Sequence, residues 1–333
     1  MKKIAILCSA LFLSLQIAWA ASDEPEVEKS KSYSKSYALG SGDHIMLNNS
    51  FGEMKIGTWS KNEIKVDVSI TVKAGSEQRA QEILDRIRIE DSKNGSEVSF
   101  KTHMGNDRGD DGQHRDHDKD NKTDRHENTS MKINYTVMLP NNMNLDATNQ
   151  FGPMSIGDYD GPVTLDSKFG SLTAGRLSQP KKVSVQFGRA TIESINNGKL
   201  SVQFSKAQVN KLSGDINADL NQSHGVKFNL TNDLKRLDVH NNFSELYLDA
   251  DKNLSASFNV KTSFGGFSNK TDFPVTKEKE NERRYFDNNS NYSGKAGSGN
   301  IPVTIKSNFG HVTLGHDISF DVNEKSERRK ARA

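Results

Sequence analysis

NQFGPMSIGDYDGPVTLDSKFGSLTAGRLSQPKKVSVQFGRATIESINNGKLSVQFSKAQVN, residues 149–210, repeats one short pattern along its length. Phe-Gly stands at Phe151-Gly152, Phe169-Gly170 and Phe187-Gly188, and Phe204-Ser205 follows, at spacings of 18, 18 and 17 residues. Apolar and polar residues alternate on both sides of each Phe: Val163 and Leu165 before Phe169, Leu172 and Ala174 after it; Val183 and Val185 before Phe187, Ala190 and Ile192 after it. Period-two alternation is the mark of a half-buried strand, so each unit reads as strand, Phe-Gly corner, strand and polar turn, such as Asn196-Asn197-Gly198 or Ser213-Gly214-Asp215. One such unit cannot bury its apolar face alone, so copies must stack and cover one another.

Fainter copies extend the pattern. His224-Gly225 stands where a Phe-Gly is due, Phe243-Ser244 and Phe264-Gly265 follow, and outlying copies lie at Phe51-Gly52 and Phe309-Gly310. The expected fold is all-β: a right-handed parallel β-solenoid, or β-helix, in which Phe51, Phe151, Phe169, Phe187, Phe204, Phe243, Phe264 and Phe309 form an internal column of stacked rings. Gly after Phe suits a corner that needs positive φ or close backbone approach. The competing architecture is an antiparallel sandwich of hairpins.

Together with an N-terminal signal sequence, the x-Phe-Gly-x-[Met/Leu/Val/Ala]-x-[Ile/Leu/Ala/Val] unit and its Asn/Gly turns resemble the adhesin-like family of bacterial envelope β-solenoid proteins, a domain of unknown function. The resemblance covers roughly residues 40–315. It implies a solenoid fold and an envelope location, and it carries no catalytic motif with it.

Residues 1–20 read as a secretory signal peptide: Lys2 and Lys3, an apolar run from Ile4 to Trp19, and Ala18-Trp19-Ala20 as a small-x-small end. The one cysteine, Cys8, lies inside it, so the expected mature chain has no disulfide and no thiol nucleophile. Removing Lys2 and Lys3 leaves 43 basic residues against 43 acidic ones. That balance argues against a general nucleic-acid binder, whose footprint is a clustered basic excess. No transmembrane span is expected after the leader. Export to the periplasm, the outer surface or the medium follows. A hydrophobic content of only 33% suits a narrow, elongated core.

Residues 21–39, rich in Ser, Lys and Glu, read as a disordered leader. Residues 40–145 hold the first Phe-Gly unit and a small α+β insertion that caps the N-terminal end of the stack. In it Ile64, Val66, Val68, Ile70 and Val72 alternate as one long strand, Ala80, Ile83, Leu84 and Ile87 share a helical face behind Ser76 as N-cap, and Asn94-Gly95 marks a hairpin. The solenoid proper spans 146–316, interrupted at 270–300 by a solvated loop carrying Tyr285, Phe286 and Tyr292. Residues 317–333 read as a basic tail.

Within the insertion, residues 103–128 form a charged loop. Asp116, Asp118, Asp120, Asp124 and Glu127 fall at positions 1, 3, 5, 9 and 12 of an EF-hand-like calcium loop, with Asn121 where the usual Gly would sit. Alternate carboxylates can converge on one hard cation, which makes weak calcium binding the one metal expectation. The other reading is a disordered, charge-balanced loop. His114 and His117 have the spacing of a loose transition-metal pair, without a closed ligand set.

No nucleophile with its base, catalytic carboxylate pair or phosphate loop is evident, and Asp166, Lys168, Glu193 and Lys206 are the polar half of alternating strands. The expectation is a non-enzymatic, adhesin-like exported envelope or surface protein with no cofactor, binding a protein or glycan component of a surface. The alternative is a polysaccharide-binding or polysaccharide-degrading β-helix enzyme.

Overall fold

The structure, a computed structural model, describes residues 27–105, 129–279 and 288–323. Among the described residues the fold is all-β apart from one short helix, and twenty-three strands join a single mixed sheet. The signal-peptide reading and the Asp116, Asp118, Asp120, Asp124 and Glu127 calcium reading both fall outside the described residues.

In the repeat, strands pair in parallel with the strand one repeat away, as in Leu172↔Ala190 and Val183↔Leu200. That pattern is incompatible with consecutive hairpins. The inward positions line up accordingly: Leu47, Ala147, Leu165, Val183, Leu200 and Ala218 are all buried and occupy one register column. Burying a Leu or Val fully contributes about 1.5–3 kcal/mol, so this column and its neighbours supply the driving force for stacking.

The sheet is not parallel throughout, which departs from the all-parallel expectation. At the N-terminal end, Glu63–Ala74 runs antiparallel to both Ser130–Leu139 and Val27–Ala38, and Ile87–Asn94 runs antiparallel to Glu97–Met104. Asn289–Ala296 does the same against Ala256–Ser263 at the other end. Reversed strands at these places close edges that a parallel stack would leave with unpaired N–H and C=O groups.

Other segments differ from the sequence reading. Val27–Ala38, read as a disordered leader, is a strand paired along its whole length with Glu63–Ala74. Its polar composition hides the fact that the Lys31 ammonium donates to the carbonyls of Leu84 and Ile87 at 2.5 and 2.7 Å, at the C-terminal end of the helix Glu77–Arg86. That helix forms where expected but ends one residue early, since Ile87, read as part of its buried face, is extended and begins the strand Ile87–Asn94. The helix begins at Ser76, whose hydroxyl accepts from the Arg79 N–H, and it buries Ala80, Ile83 and Leu84. The described parts of the segment read as a loop, residues 270–279 and 288–300, are not all solvated: Phe273 and Val275 are buried, and Tyr292 packs on Phe267 with ring centroids 5.0 Å apart, while Tyr285 and Phe286 fall outside the described residues.

Rung order is also not chain order. Ile301–Asn308 pairs with Leu234–Asn242 on one side and Ala256–Ser263 on the other, so the last repeat inserts between the two before it. The first part of the segment read as a basic tail, residues 317–323, folds back across the outer face of the stack. There the Ile318 carbonyl accepts from Lys227 Nζ at 2.7 Å, the Ile318 N–H donates to Asp249 Oδ1 at 3.2 Å, and Phe320 packs on Tyr247.

Candidate functional site

The Phe-Gly corners divide their labour in an unexpected way. Phe, not Gly, takes the left-handed backbone: φ is 67° at Phe51, 57° at Phe151, 53° at Phe169 and Phe187, 50° at Phe204, 51° at Phe243, 52° at Phe264 and 53° at Phe309. Gly supplies close approach, since a Cβ on Gly170 would lie 2.0 Å from the Gly152 carbonyl oxygen. Strand alternation through Val183 and Val185 would carry residue 187 into the core. The left-handed turn breaks that alternation and swings the ring outward.

The expected internal column is therefore an external one. The rings do stack: Phe51, Phe151, Phe169, Phe187 and Phe204 follow one another with centroid spacings of 4.7–5.1 Å and interplanar angles of 10° or less. Phe243, Phe309 and Phe264 form a second run at 4.9 and 4.8 Å. These spacings equal the distance between paired strands, so the backbone ladder sets the stack. Except for Phe51, the rings are 41–59% exposed. A ring such as Phe187, covered on both faces by neighbours, reaches 47% only because its edge stands in solvent.

Between the two runs the corner belongs to Gln222-Ser223, with Gln222 at φ 48°, and not to His224-Gly225. The Phe204 N–H donates to the Asn221 carbonyl and the Gln222 N–H to that of Asn242, which places Gln222 in the same register. The sequence signal was the Asn221-Gln222-Ser223 triplet, which parallels Gln203-Phe204-Ser205.

Buried amides brace the corners from inside. Asn149 Nδ2 lies 3.0 Å from the carbonyl oxygens of Gly52, Gly152 and Pro153, and Asn49 Nδ2 donates to Asn149 Oδ1 at 3.0 Å. Asn241 plays the matching part under Phe243, donating to the Ser244 carbonyl and to Ser307 Oγ. Where Gly gives way to Ser, the side chain replaces the backbone contact: Ser205 Oγ accepts from the Gly188 N–H at 3.0 Å.

Polar columns flank the rail. Gln150, Lys168, Gln186, Gln203 and Asn221 precede the corners, and Pro153, Ser171, Arg189, Lys206 and His224 stand two residues after them. From the Phe151 rung to the Gln222 rung these two columns hold three cations and no carboxylate. On the second side lies a groove of about 530 Å³, lined by Phe169, Phe187, Arg189, Lys206, Val322 and Asn323. Arg189 Nη1 donates to Asn323 Oδ1 at 3.1 Å, which pins the end of the described chain into that groove.

The polar positions weighed for catalysis do not converge. Lys168 pairs with Asp166 at 3.1 Å, and Glu193 accepts from Asn210 at 2.9 Å. Among the described residues, no group of three or more His, Cys, Asp or Glu side chains is placed to hold a metal, and no helix is long and apolar enough to cross a membrane.

Neither a family profile nor a curated protein matches the chain. Among solved structures it is similar to a candidate adhesin of Bacteroides fragilis, with 10% identity, 85% of this chain and 97% of that one covered, and a TM-score of 0.34. It is also similar to a candidate adhesin of Parabacteroides distasonis, at 9% identity, 85% and 97% coverage and a TM-score of 0.33. A candidate cell adhesion protein of Clostridium sporogenes gives 12% identity, 87% and 100% coverage and a TM-score of 0.25. Superpositions this loose add nothing to the geometry described above.

Proposed function

We propose that this chain is a non-enzymatic, exported, adhesin-like envelope or surface protein: a right-handed parallel β-solenoid, closed at both ends by antiparallel strands, that presents the Phe rail to a component of another surface. The observation carrying this reading is that each Phe holds left-handed backbone while leaving its ring edge in water. A non-Gly residue in that conformation costs about 1–3 kcal/mol, and a stacked aromatic pair returns about 0.5–1.5 kcal/mol. Gly or Asn would make the same corner at less cost. A partner that covers the exposed edges accounts for aromatic side chains at corners where stacking offsets only part of the backbone cost.

The test is retention of the protein on isolated envelope fractions and on a panel of acidic and neutral glycans, scored for both binding and cleavage. Wild-type protein retained without cleavage, and released by the triple variant Phe169→Ser, Phe187→Ser, Phe204→Ser, supports the reading. Cleavage of any glycan, or retention indifferent to the triple variant, overturns it.

A further inference from the structure

The rail's geometry narrows the chemistry of what it meets. Sugar rings are gripped by the open faces of aromatic side chains, yet here each interior ring has both faces covered by its neighbours at 4.7–5.1 Å. What remains is a line of apolar edges, suited to contact with hydrocarbon. Beside that line basic side chains outnumber acidic ones, and each of them also has a partner within the protein. Arg189 and Lys206 border the groove next to Phe169 and Phe187, Lys168 flanks the same rungs with its charge shared with Asp166, and the intervening positions are amides, Ser and Pro.

Residues 316–323 run back over the stack and end at Asn323 against Arg189. An apolar edge bordered by a cationic margin is the arrangement of a protein that wedges aromatic side chains between acyl chains while basic groups meet anionic headgroups.

We propose that the Phe151–Phe204 section of the rail, with Arg189 and Lys206, docks on an anionic phospholipid bilayer surface. This rests on the surface-binding reading above and names the surface. The rings enter only to the depth of their exposed edges, so the protein lies on the bilayer without crossing it.

The experiment uses the chain without residues 1–20, which leaves every described element in place, and vesicles of phosphatidylcholine alone or mixed with phosphatidylglycerol. Co-sedimentation with the mixed vesicles is expected, with binding to phosphatidylcholine alone at least about tenfold weaker. Phe169→Ser with Phe187→Ser is expected to weaken binding about tenfold or more, and Arg189→Gln and Lys206→Gln about fivefold each, with unchanged circular dichroism. Phe187→Trp in a Trp59→Phe background gives a readout that partial unfolding would not imitate: the indole emission should shift to the blue on mixed vesicles and be quenched by brominated acyl chains.

Equal binding to both vesicle types, or an indole emission from the Phe187→Trp variant that vesicles leave unchanged, overturns the proposal. If no vesicle binds while envelope retention still depends on the rail, the lipid assignment fails and the surface-binding reading stands. If retention moves to a glycan, the lipid assignment fails and the partner is a polysaccharide. If neither vesicles nor envelope fractions respond to the Phe variants, both readings fall.

Discussion

Gly188 sits so close to Gly170 that a Cβ built on it would fall 1.9 Å from the Gly170 carbonyl oxygen. Backbone oxygen cannot give way as a flexible side chain can, so Gly188→Ala must push two rungs apart. We expect a loss of about 3 kcal/mol or more, read as a lowered urea midpoint. At the next corner Ser205 already carries a Cβ, and its hydroxyl accepts from the Gly188 N–H, so Ser205→Ala should cost only about 1 kcal/mol.

Exposed rings and buried aliphatics should respond differently to truncation. Phe187→Ala removes two stacking contacts and the partial burial of a residue that is 47% exposed, for an expected cost of about 1–2 kcal/mol. Leu200→Ala, in the inner column at 1% exposure, should cost about 2–5 kcal/mol. A double-mutant cycle between Phe169 and Phe187 should give a coupling of about 0.5–1.5 kcal/mol. Equal costs for Phe187→Ala and Leu200→Ala would mean that the ring is in the core after all.

The break in the rail offers a gain-of-stability test. Gln222 holds the corner conformation between the Phe204 and Phe243 rungs, with φ 48° already in place. Gln222→Phe adds no backbone strain and joins the two ring runs. The expected gain is about 1 kcal/mol, seen as a raised thermal midpoint.

These contrasts mark what the sequence could and could not disclose. The strands were legible because Val183, Val185, Ala190 and Ile192 alternate with polar residues, and the helix because Ser76 precedes a patterned face. The register of Phe187 was legible too, but its direction was not. Alternation stops having meaning at a residue with positive φ, and an aromatic residue in an apolar pattern reads by default as core. Gln222 was easy to miss because a corner defined by backbone conformation accepts a polar residue, and only the likeness of Asn221-Gln222-Ser223 to Gln203-Phe204-Ser205 marks it. Val27–Ala38 looked disordered because its inward lysine, Lys31, satisfies helix carbonyls instead of packing as an aliphatic residue. Nor could local sequence say that Phe309 would stack between Phe243 and Phe264, since pairing order is set by non-local contacts.

The folded-back segment carries a pH dependence. His316 donates from Nδ1 to the Ala250 carbonyl and faces Asp272 through Nε2 at 3.3 Å. The Ala250 hydrogen bond foremost, then the Asp272 carboxylate, raise its pKa above the ordinary histidine value, against burial and the Lys252 charge. A raised folded pKa gives stability that is complete below the unfolded value of about 6.5 and is lost as pH rises through the folded value. Amide exchange at Ile318 and Phe320 should therefore be slower at about pH 6 than at about pH 8, after correction for intrinsic rates. Asp272→Asn should shrink that difference; an unchanged difference would show that the pair does not hold the segment.

The N-terminal strand yields the final test, because its role is to cover an edge. Glu63–Ala74 buries Ile64, Val66, Val68, Ile70 and Val72, and its outer backbone edge is paired by Val27–Ala38. Tyr33 and Tyr37 fix that strand to the neighbouring hairpin by donating to the two oxygens of Asp91. Burial alone would raise the Asp91 carboxyl, but the two hydroxyls and Lys35 bring it below the ordinary value. The stability it contributes is thus present above the ordinary carboxylate range, near about pH 4, and is lost as pH falls through the folded value. Deleting residues 27–38 should leave a long, hydrophobic, twelve-residue edge open to pairing with other chains. We expect concentration-dependent oligomers on size-exclusion chromatography, where Lys31→Met, which removes only the cation at the helix end, should stay monomeric and lose about 1 kcal/mol. A monomeric deletion variant with unchanged stability would mean that the strand is an accessory and that the edge is protected by its own twist and charge.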